Sequence, residues 1–254
     1  MPIPDSPSAN PSESLPTGGA TMSPAMAEMV AYPRYLFSQF EDQLGKRVWE
    51  IGVGHGLYTS WLQQLGKDIL ATDIDEDCLS QARETFDGDP RVRVARVDLF
   101  DEASVHGVAD FQADTVICFN VLEHIERDVD ALSWIRQAVS PNCHLCLIVP
   151  AHQSLYGPMD QQAGHFRRYS RQILRDRLLE SGWQTKRLSY INAVASLGWW
   201  YHNRVRSDGG LADQQVNRQM SMLDRWFPRF ARISDPVLQK CFGLSVCTLA
   251  TPAT

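Results

Sequence analysis

The sequence predicts an α/β fold with a mostly parallel sheet, and three observations support this prediction. Short β-branched and apolar runs alternate with stretches of helical apolar spacing, as in consecutive βαβ units. The first run leads into a glycine-rich turn, and the runs that follow end in acidic or amide side chains. Hydrophobic residues make up 44% of the 254 positions and charged residues 21%, which excludes a wholly disordered chain.

Residues 47–150 contain five predicted strands with helices or loops between them. The strands are Arg47–Gly52, Ile69–Asp75, Val92–Asp98, Thr115–Asn120 and Cys143–Pro150. Apolar residues at helical spacing follow three of these strands: Trp61, Leu62 and Leu65, then Leu79, Ala82 and Phe86, then Val129, Leu132, Ile135 and Val139. Gly66 and Pro141 are typical of the positions where such helices end.

The alternation changes after Pro150. A polar loop is followed by a helix that begins at Arg171, with Ser170 as its N-cap, and a strand is predicted at Thr185–Asn192. Residues 193–240 then form an aromatic-rich, helical insert, and a last strand is predicted at Leu244–Thr251. We therefore expect one domain over residues 25–254.

Residues 1–24 differ in composition from the rest of the chain. They are rich in Pro, Ser and Gly and contain few apolar side chains, so we expect a disordered tail. The segment lacks a basic region followed by an apolar one, and a signal peptide is therefore not expected.

Charge and cysteine usage limit the expected partners and compartment. The chain has 24 basic and 30 acidic residues, a net charge of −6, and no long Lys/Arg block, which argues against a nucleic-acid partner. No apolar run is long enough to span a bilayer, so no membrane span is expected. Six scattered cysteines, five of them in apolar surroundings, indicate reduced thiols in the cytoplasm.

The turn after the first strand is the most informative motif. Gly52, Gly54 and Gly56 are spaced G-x-G-x-G, whereas a dinucleotide fingerprint has G-x-G-x-x-G. Glu50 precedes the first glycine by two positions. This combination resembles motif I of class I S-adenosylmethionine (SAM)-dependent methyltransferases. The resemblance implies a Rossmann-like, seven-stranded, mostly parallel sheet with an antiparallel last strand, and a loop that wraps the amino-acid part of SAM near Glu50.

The ends of the next three strands extend this resemblance. It implies that Asp73, with the adjacent Ile74, binds the ribose hydroxyls, because a carboxylate can accept two charge-assisted hydrogen bonds. Asp98 and the backbone of Leu99 correspond to the adenine contacts of the family. Asn120 opens an N-x-L-E-H segment that lies beside the methionine portion of SAM in such enzymes. Open α/β sheets bind ligands at this edge.

The residues expected to contact the methyl acceptor form a less specific pattern than those expected to bind SAM. Transfer to a phenol or alcohol needs a base, and His152, directly after the fifth strand, is the first candidate. A D…G-H-x-R-R-Y-S pattern, which starts at Asp160, resembles one bacterial branch of type 11/12-like methyltransferases; it supplies His165 as a second candidate base. Arg167 and Arg168 suit a substrate carboxylate or phosphate. The alternative for these arginines is a scaffold role, such as pairing with Asp160.

Two aromatic regions are predicted to enclose the acceptor. Tyr32 and Tyr35 precede the first strand, and Trp199 lies in the insert. Aromatic side chains at helical spacing more often pack in a core, so packing remains the alternative for each of them.

No metal is expected from the sequence. Cys143 and Cys146 have C-x-x-C spacing, but a strand would point them to opposite faces. Asp73, Asp75 and Asp77 lack the glycine and terminal glutamate of a calcium loop.

The sequence therefore predicts a methyltransferase that uses SAM, releases S-adenosylhomocysteine and acts on an O or N atom of a small molecule, such as a secondary metabolite. It is expected to be a monomer or homodimer. Two alternatives remain open: a SAM-fold enzyme with other chemistry, such as cyclisation, and a non-catalytic SAM-binding partner subunit.

Overall fold

A computed structural model describes residues 29–193, 196, 224 and 226–253. Its one sheet contains seven strands. They are β1 (Arg47–Ile51), β2 (Asp68–Asp73), β3 (Val92–Arg96), β4 (Thr115–Phe119), β5 (His144–Pro150), β6 (Trp183–Ile191) and β7 (Ser245–Pro252). The expected tail at residues 1–24 and most of the insert, with Trp199, lie outside the described residues.

Helices connect the strands of the described chain. They are α1 (Ala31–Ser38), α2 (Leu57–Gln64), α3 (Glu76–Thr85), α4 (Glu102–His106), α5 (Asp128–Ala138), α6 (Pro158–Gln162), α7 (Arg171–Glu180) and α8 (Phe227–Leu238). Short 3₁₀ turns occupy Glu41–Gln43, Ala109–Phe111, Leu122–His124 and Gln153–Leu155. No helix in this part of the chain is both long and apolar enough to cross a bilayer.

The strand order is β3-β2-β1-β4-β5-β7-β6. Strands β1 to β5 are parallel, so their carboxyl ends meet at one edge of the sheet. Strand β7 lies between β5 and β6 and is antiparallel to both, with Cys247 opposite Ile148 and Val246 opposite Tyr190. The predicted seven-stranded α/β fold with an antiparallel last strand is confirmed.

Both faces of the sheet are buried, which explains the continuous apolar runs in the sequence. Trp49 and Leu145 pack into the core on one face, whereas Ile117 and Cys146 pack into the core on the other. Cys143 belongs to the first core, so it and Cys146 point to opposite faces, as predicted. All six thiols are free, and only Cys241 is exposed.

Local backbone geometry determines where elements begin and end. Strand β1 ends at Ile51, one residue before its predicted boundary, because Gly52 has φ +83° and leaves the extended conformation. The predicted N-cap is confirmed: the Ser170 hydroxyl accepts a hydrogen bond from the Ile173 amide at 3.1 Å. Helix α7 therefore begins at Arg171, as expected.

Candidate active site

The glycine loop after β1 is anchored to the neighbouring strand ends. The amides of Gly52 and Val53 donate to the Thr72 carbonyl at 2.8 and 2.9 Å. A Cβ atom at Gly52 would lie 2.6 Å from Cγ2 of Val121, so only glycine allows the loop to approach the segment after β4 this closely. The loop backbone is thus fixed in place before any ligand binds.

Glu50 lies on β1 beneath this loop and is 1% exposed. The Thr59 hydroxyl donates to Oε2 of Glu50, whereas Oε1 has no hydrogen-bond partner. Burial raises the pKa of Glu50 to about 8. A cavity of about 10 Å³, lined partly by Glu50, Gly52 and Tyr58, adjoins it. An unpartnered, buried carboxylate oxygen fits the ammonium group of an amino-acid ligand.

Asp73 joins the glycine loop to the end of β2. Its Oδ2 accepts from the Gly54 amide at 3.1 Å, and its Oδ1 accepts from the amides of Ile74 and Asp75 at 2.8 and 3.0 Å. A carboxylate has about four acceptor positions, so three are occupied. Binding both hydroxyls of a ribose through Asp73 therefore requires the release or sharing of one loop hydrogen bond.

Asp98 lies after β3, with its side chain 24% exposed. Its amide donates to the Ser104 hydroxyl at 2.9 Å, and its Oδ1 accepts from the Phe100 amide at 2.8 Å. Leu99 is buried beside it, whereas the ring of Phe100 is 46% exposed. The carboxylate thus keeps acceptor capacity at the sheet edge, next to an exposed apolar ring.

Asn120 begins the turn after β4 with φ +54°, a conformation that asparagine tolerates better than most residues. Its backbone amide donates a hydrogen bond to the Ile148 carbonyl at 2.9 Å. The 3₁₀ turn Leu122–His124 follows, with Glu123 fully buried. Asn120 therefore lies on the same sheet edge as Glu50, Asp73 and Asp98, because all four lie close to the carboxyl ends of parallel strands.

His152 lies beyond the end of β5 with φ +61°. Its ring stacks on Tyr190 at 4.6 Å and on Phe242 at 4.9 Å between centroids. Its Nε2 atom is buried and has no hydrogen-bond partner. Burial, together with the nearby charge of Arg168, lowers the pKa of His152, so the imidazole is neutral at physiological pH.

His165 lies in a second cluster, in the loop between α6 and α7. Its Nδ1 is 2.8 Å from Oδ1 of Asp160, and its Nε2 is 3.9 Å from Oε1 of Glu123. The His124 ring packs edge-on against the His165 ring at 4.8 Å. Spacing along the chain gave no partner for Glu123 or His124, and the structure brings both residues to His165.

Protein groups already bind the two arginines that were predicted to hold an anion. Arg168 is 3% exposed and donates from Nε to Asp160 at 2.8 Å, which is the scaffold alternative. Arg167 donates to the Ile125 and Glu126 carbonyls. It also lies 3.3 Å from Asp128. In this structure both guanidinium groups fasten the loop after α6 to the body of the domain.

Tyr32 and Tyr35 lie on α1, which two acidic residues of the insert region hold in place. Asp224 accepts from the amides of Val30, Ala31 and Tyr32 at 3.1, 3.0 and 2.7 Å, and so caps α1. Asp235 accepts a hydrogen bond from the Tyr35 hydroxyl. The Tyr32 hydroxyl accepts from Asn192 at 2.9 Å, and burial raises the pKa of Tyr32 to about 12.

The sequence analysis gave no role to Asp224, Asp235 or Thr59. Each one acts on a residue that is distant in the chain or on another element, so local spacing contained no signal for it. The acidic side chains of the insert were visible in the sequence, but their partners on α1 and after β6 were not.

Comparison with known proteins gives a family match for part of the chain. Residues 49–145 match the family model described as a methyltransferase domain. The ubiquinone biosynthesis O-methyltransferase of Schizosaccharomyces pombe, a mitochondrial protein, is 29% identical over 103 residues. That alignment covers 41% of this chain and 37% of the relative. The chain therefore matches well under half the length of that protein.

Solved structures share the fold at low identity. An S-adenosylmethionine dependent methyltransferase from Mesorhizobium loti aligns with a TM-score of 0.56 and 15% identity, over 89% of this chain and 99% of that one. A phosphoethanolamine N-methyltransferase 2 from Haemonchus contortus, solved with phosphomonomethylethanolamine and S-adenosylhomocysteine, aligns with a TM-score of 0.56 and 15% identity. It covers 88% of this chain and 53% of that one.

Proposed function

We propose that this protein transfers the methyl group of SAM to an oxygen or nitrogen atom of a small molecule. The match of residues 49–145 to a methyltransferase-domain model and the order of the seven strands support this proposal. The observation that supports this most is the buried Glu50 carboxylate, whose Oε1 lacks a partner beneath the glycine loop. An uncompensated buried carboxylate is costly unless a ligand neutralises it, and the ammonium group of SAM does so.

Different residues of the sheet edge are proposed to bind different parts of the cofactor. Glu50 and the loop Gly52, Gly54 and Gly56 hold the amino-acid end of SAM. Asp73 with Ile74 receives the ribose, Asp98 with Leu99 receives the adenine, and Asn120 lies beside the methionine portion. Bound SAM supplies a methyl group on a sulfonium, which an acceptor atom displaces in line.

The chain contributes orientation, water exclusion and proton removal. Apolar and aromatic groups of α1 and of the segment after β5 are proposed to surround the acceptor side and to exclude water from the displacement. His152 removes the acceptor proton: its imidazole is neutral, two rings fix its orientation, and its Nε2 has no competing partner. Tyr32 and Tyr35 line the acceptor side from α1, and Trp199 is proposed to do so from the insert.

The class of acceptor, the cellular compartment and the oligomeric state are proposed on weaker support. An O-methylated small molecule is favoured because a relative is named as an O-methyltransferase of ubiquinone biosynthesis, and a secondary metabolite remains the proposed class. Five buried free thiols support a reducing compartment, the cytoplasm of a bacterium. A monomer or homodimer is proposed for the assembly.

The test combines SAM binding with product detection. Purified protein and SAM are incubated with a panel of hydroxylated and amine-containing small molecules, and S-adenosylhomocysteine is quantified. We expect S-adenosylhomocysteine to form only with an accepted substrate, and His152→Asn, which tolerates positive φ, to lower turnover about 10²- to 10⁴-fold at unchanged SAM affinity. SAM binding without S-adenosylhomocysteine formation would support a non-methylating enzyme or a binding subunit instead.

A further inference from the structure

Three potential metal ligands meet beside the predicted methionine site. Glu123 and His124 come from the turn after β4, and His165 comes from the loop between α6 and α7. Their ligand atoms all lie within 4.8 Å of one another. The two loops are also joined through the backbone, since the Phe166 amide donates to the Glu123 carbonyl at 2.9 Å. The three side chains are thus held together by the fold.

Each imidazole has a partner that orients it. Asp160 lies 2.8 Å from Nδ1 of His165 and is itself held by Arg168 at 2.8 Å and by the Gly157 amide at 3.0 Å. The carboxylate assigns the proton of His165 to Nδ1, which leaves the lone pair of Nε2 facing Glu123. His124 hydrogen-bonds the backbone of Gly164. Metal-binding histidines have this kind of second partner, which fixes the ring and the tautomer.

Glu123 lacks the compensation that a buried carboxylate needs. It is 1% exposed, and its Oε2 has no hydrogen-bond partner. Arg168 is near, but it pairs with Asp160, so those two charges cancel. One acidic group therefore faces two imidazoles without a cation of its own.

The spacing suits a small divalent ion. Zinc bonds to imidazole nitrogen and carboxylate oxygen are about 2.0–2.2 Å, so two ligands of one ion lie at most about 4.4 Å apart. The distance of 3.9 Å between Nε2 of His165 and Oε1 of Glu123 is within this limit. The bound of 4.8 Å for all three ligand atoms is slightly above it, so the side chains must move closer together by a few tenths of an ångström when the ion binds. Two histidines and one carboxylate leave further coordination positions open, as in catalytic rather than structural sites.

We propose that Glu123, His124 and His165 bind one divalent transition-metal ion, such as zinc, with positions open to water or to an acceptor hydroxyl. This inference replaces the expectation of a metal-free protein and makes His165 a metal ligand rather than a base. Such an ion lowers the pKa of a bound hydroxyl and fixes its orientation. Metal binding itself does not depend on the proposed methyl transfer.

The experiment measures metal binding directly. The protein carries Cys241→Ser, because an exposed free thiol can bind zinc independently of the proposed site. It is treated with a chelator before titration with Zn²⁺ in a calorimeter. Titration with Co²⁺ gives a visible absorption spectrum that reports nitrogen and oxygen ligation. We expect one ion per chain, and a higher melting temperature when it is bound.

Single substitutions identify the ligands. Glu123→Gln, His124→Gln and His165→Gln should each weaken binding at least tenfold, whereas His106→Gln, which changes an exposed histidine on α4, should leave it unchanged. Asp160→Asn should weaken binding about 10- to 100-fold by removing the partner of His165. Circular dichroism of each variant checks the fold.

Three outcomes would overturn the proposal. They are no binding by the folded wild-type site, binding that all three substitutions leave intact, and a stoichiometry that varies with the preparation, which indicates an adventitious ion only. Because wild-type binding is measured without variants, the proposal stays testable even if a variant does not fold. SAM titration of His165→Gln separates this inference from the proposed function: lost metal affinity with retained SAM affinity concerns the metal site alone.

Discussion

Thr59 donates its hydroxyl to one carboxylate oxygen of Glu50, while the other oxygen has no hydrogen-bond partner. Glu50 is therefore buried with only one of its two carboxylate oxygens in a hydrogen bond. The Thr59 hydrogen bond lowers the pKa of Glu50, but burial raises it more, and the charge of Asp73 adds to the increase. Glu50 is therefore mostly protonated in the free protein at neutral pH, and a bound cation favours its ionised form.

The first prediction concerns the pH dependence of SAM binding. The ammonium group of SAM pairs with ionised Glu50, so the Kd should fall as the pH rises from 6 towards 8, and binding should release a proton. Above about pH 8 the α-amino group loses its own proton, and affinity should decline again. Calorimetry in buffers of different ionisation enthalpy measures both effects. In Glu50→Gln, binding should be about 10- to 150-fold weaker, since the lost charged hydrogen bond contributes about 1.5–3 kcal/mol.

The second prediction concerns stability without ligand. The pKa of Glu50 is about 8 in the folded protein and about 4.5 as its ordinary value. Between these values the unfolded chain binds fewer protons than the folded one, so the free energy of unfolding should decrease as the pH rises. Glu50→Gln should make this decrease smaller, and the part that comes from Glu123, whose pKa burial also raises, should remain. Urea denaturation at pH 5, 7 and 8.5 measures this change, with Glu84→Gln, at an exposed position, as the control. If the free energy of unfolding changes equally with pH in both variants, the raised pKa of Glu50 is contradicted.

The third prediction compares two glycines with positive φ. Gly52 has φ +83° and would place a Cβ 2.6 Å from Val121, whereas Gly88 has φ +78° and nothing within 4 Å. Gly88→Ala should cost about 1–2 kcal/mol from the backbone alone. Gly52→Ala should cost more and should also weaken SAM binding, because the loop must shift. Adding Val121→Ala should restore part of the stability; urea denaturation and SAM titration of the three variants measure this.

The fourth prediction concerns Asp128, which is 1% exposed. It accepts the Tyr169 hydroxyl at 2.8 Å and pairs with Arg177. Asp128→Ala should lower the free energy of unfolding by about 3–5 kcal/mol, because it leaves buried polar partners uncompensated. Asp130→Ala, on the same helix but in an exposed pair with Arg127, should cost no more than about 1 kcal/mol. Similar losses in both variants would mean that the buried network contributes little.

The sequence by itself determined the fold and the resemblance to class I methyltransferases. Strands buried on both faces require continuous apolar runs, and the connecting helices require a different period, so both are readable locally. The strand ends hold Glu50, the glycines and Asp73 within one short stretch of chain, and the resemblance to class I methyltransferases that they suggested is confirmed by the family match and the sheet order. Only the ends of the elements differ from the prediction. Strand β1, for example, ends at Ile51 because the φ angle of Gly52 leaves the extended conformation.

The tertiary structure decided which side chains meet across long separations. Arg168 could bind an anion or pair with Asp160, and only the folded loop selects Asp160. His165 reaches Glu123 across 42 residues because the loop after α6 folds back onto the turn after β4. Spacing along the chain encodes periodicity and caps. It does not encode the partner of a loop side chain, because many loop paths are compatible with the same local sequence and packing against the rest of the domain selects one.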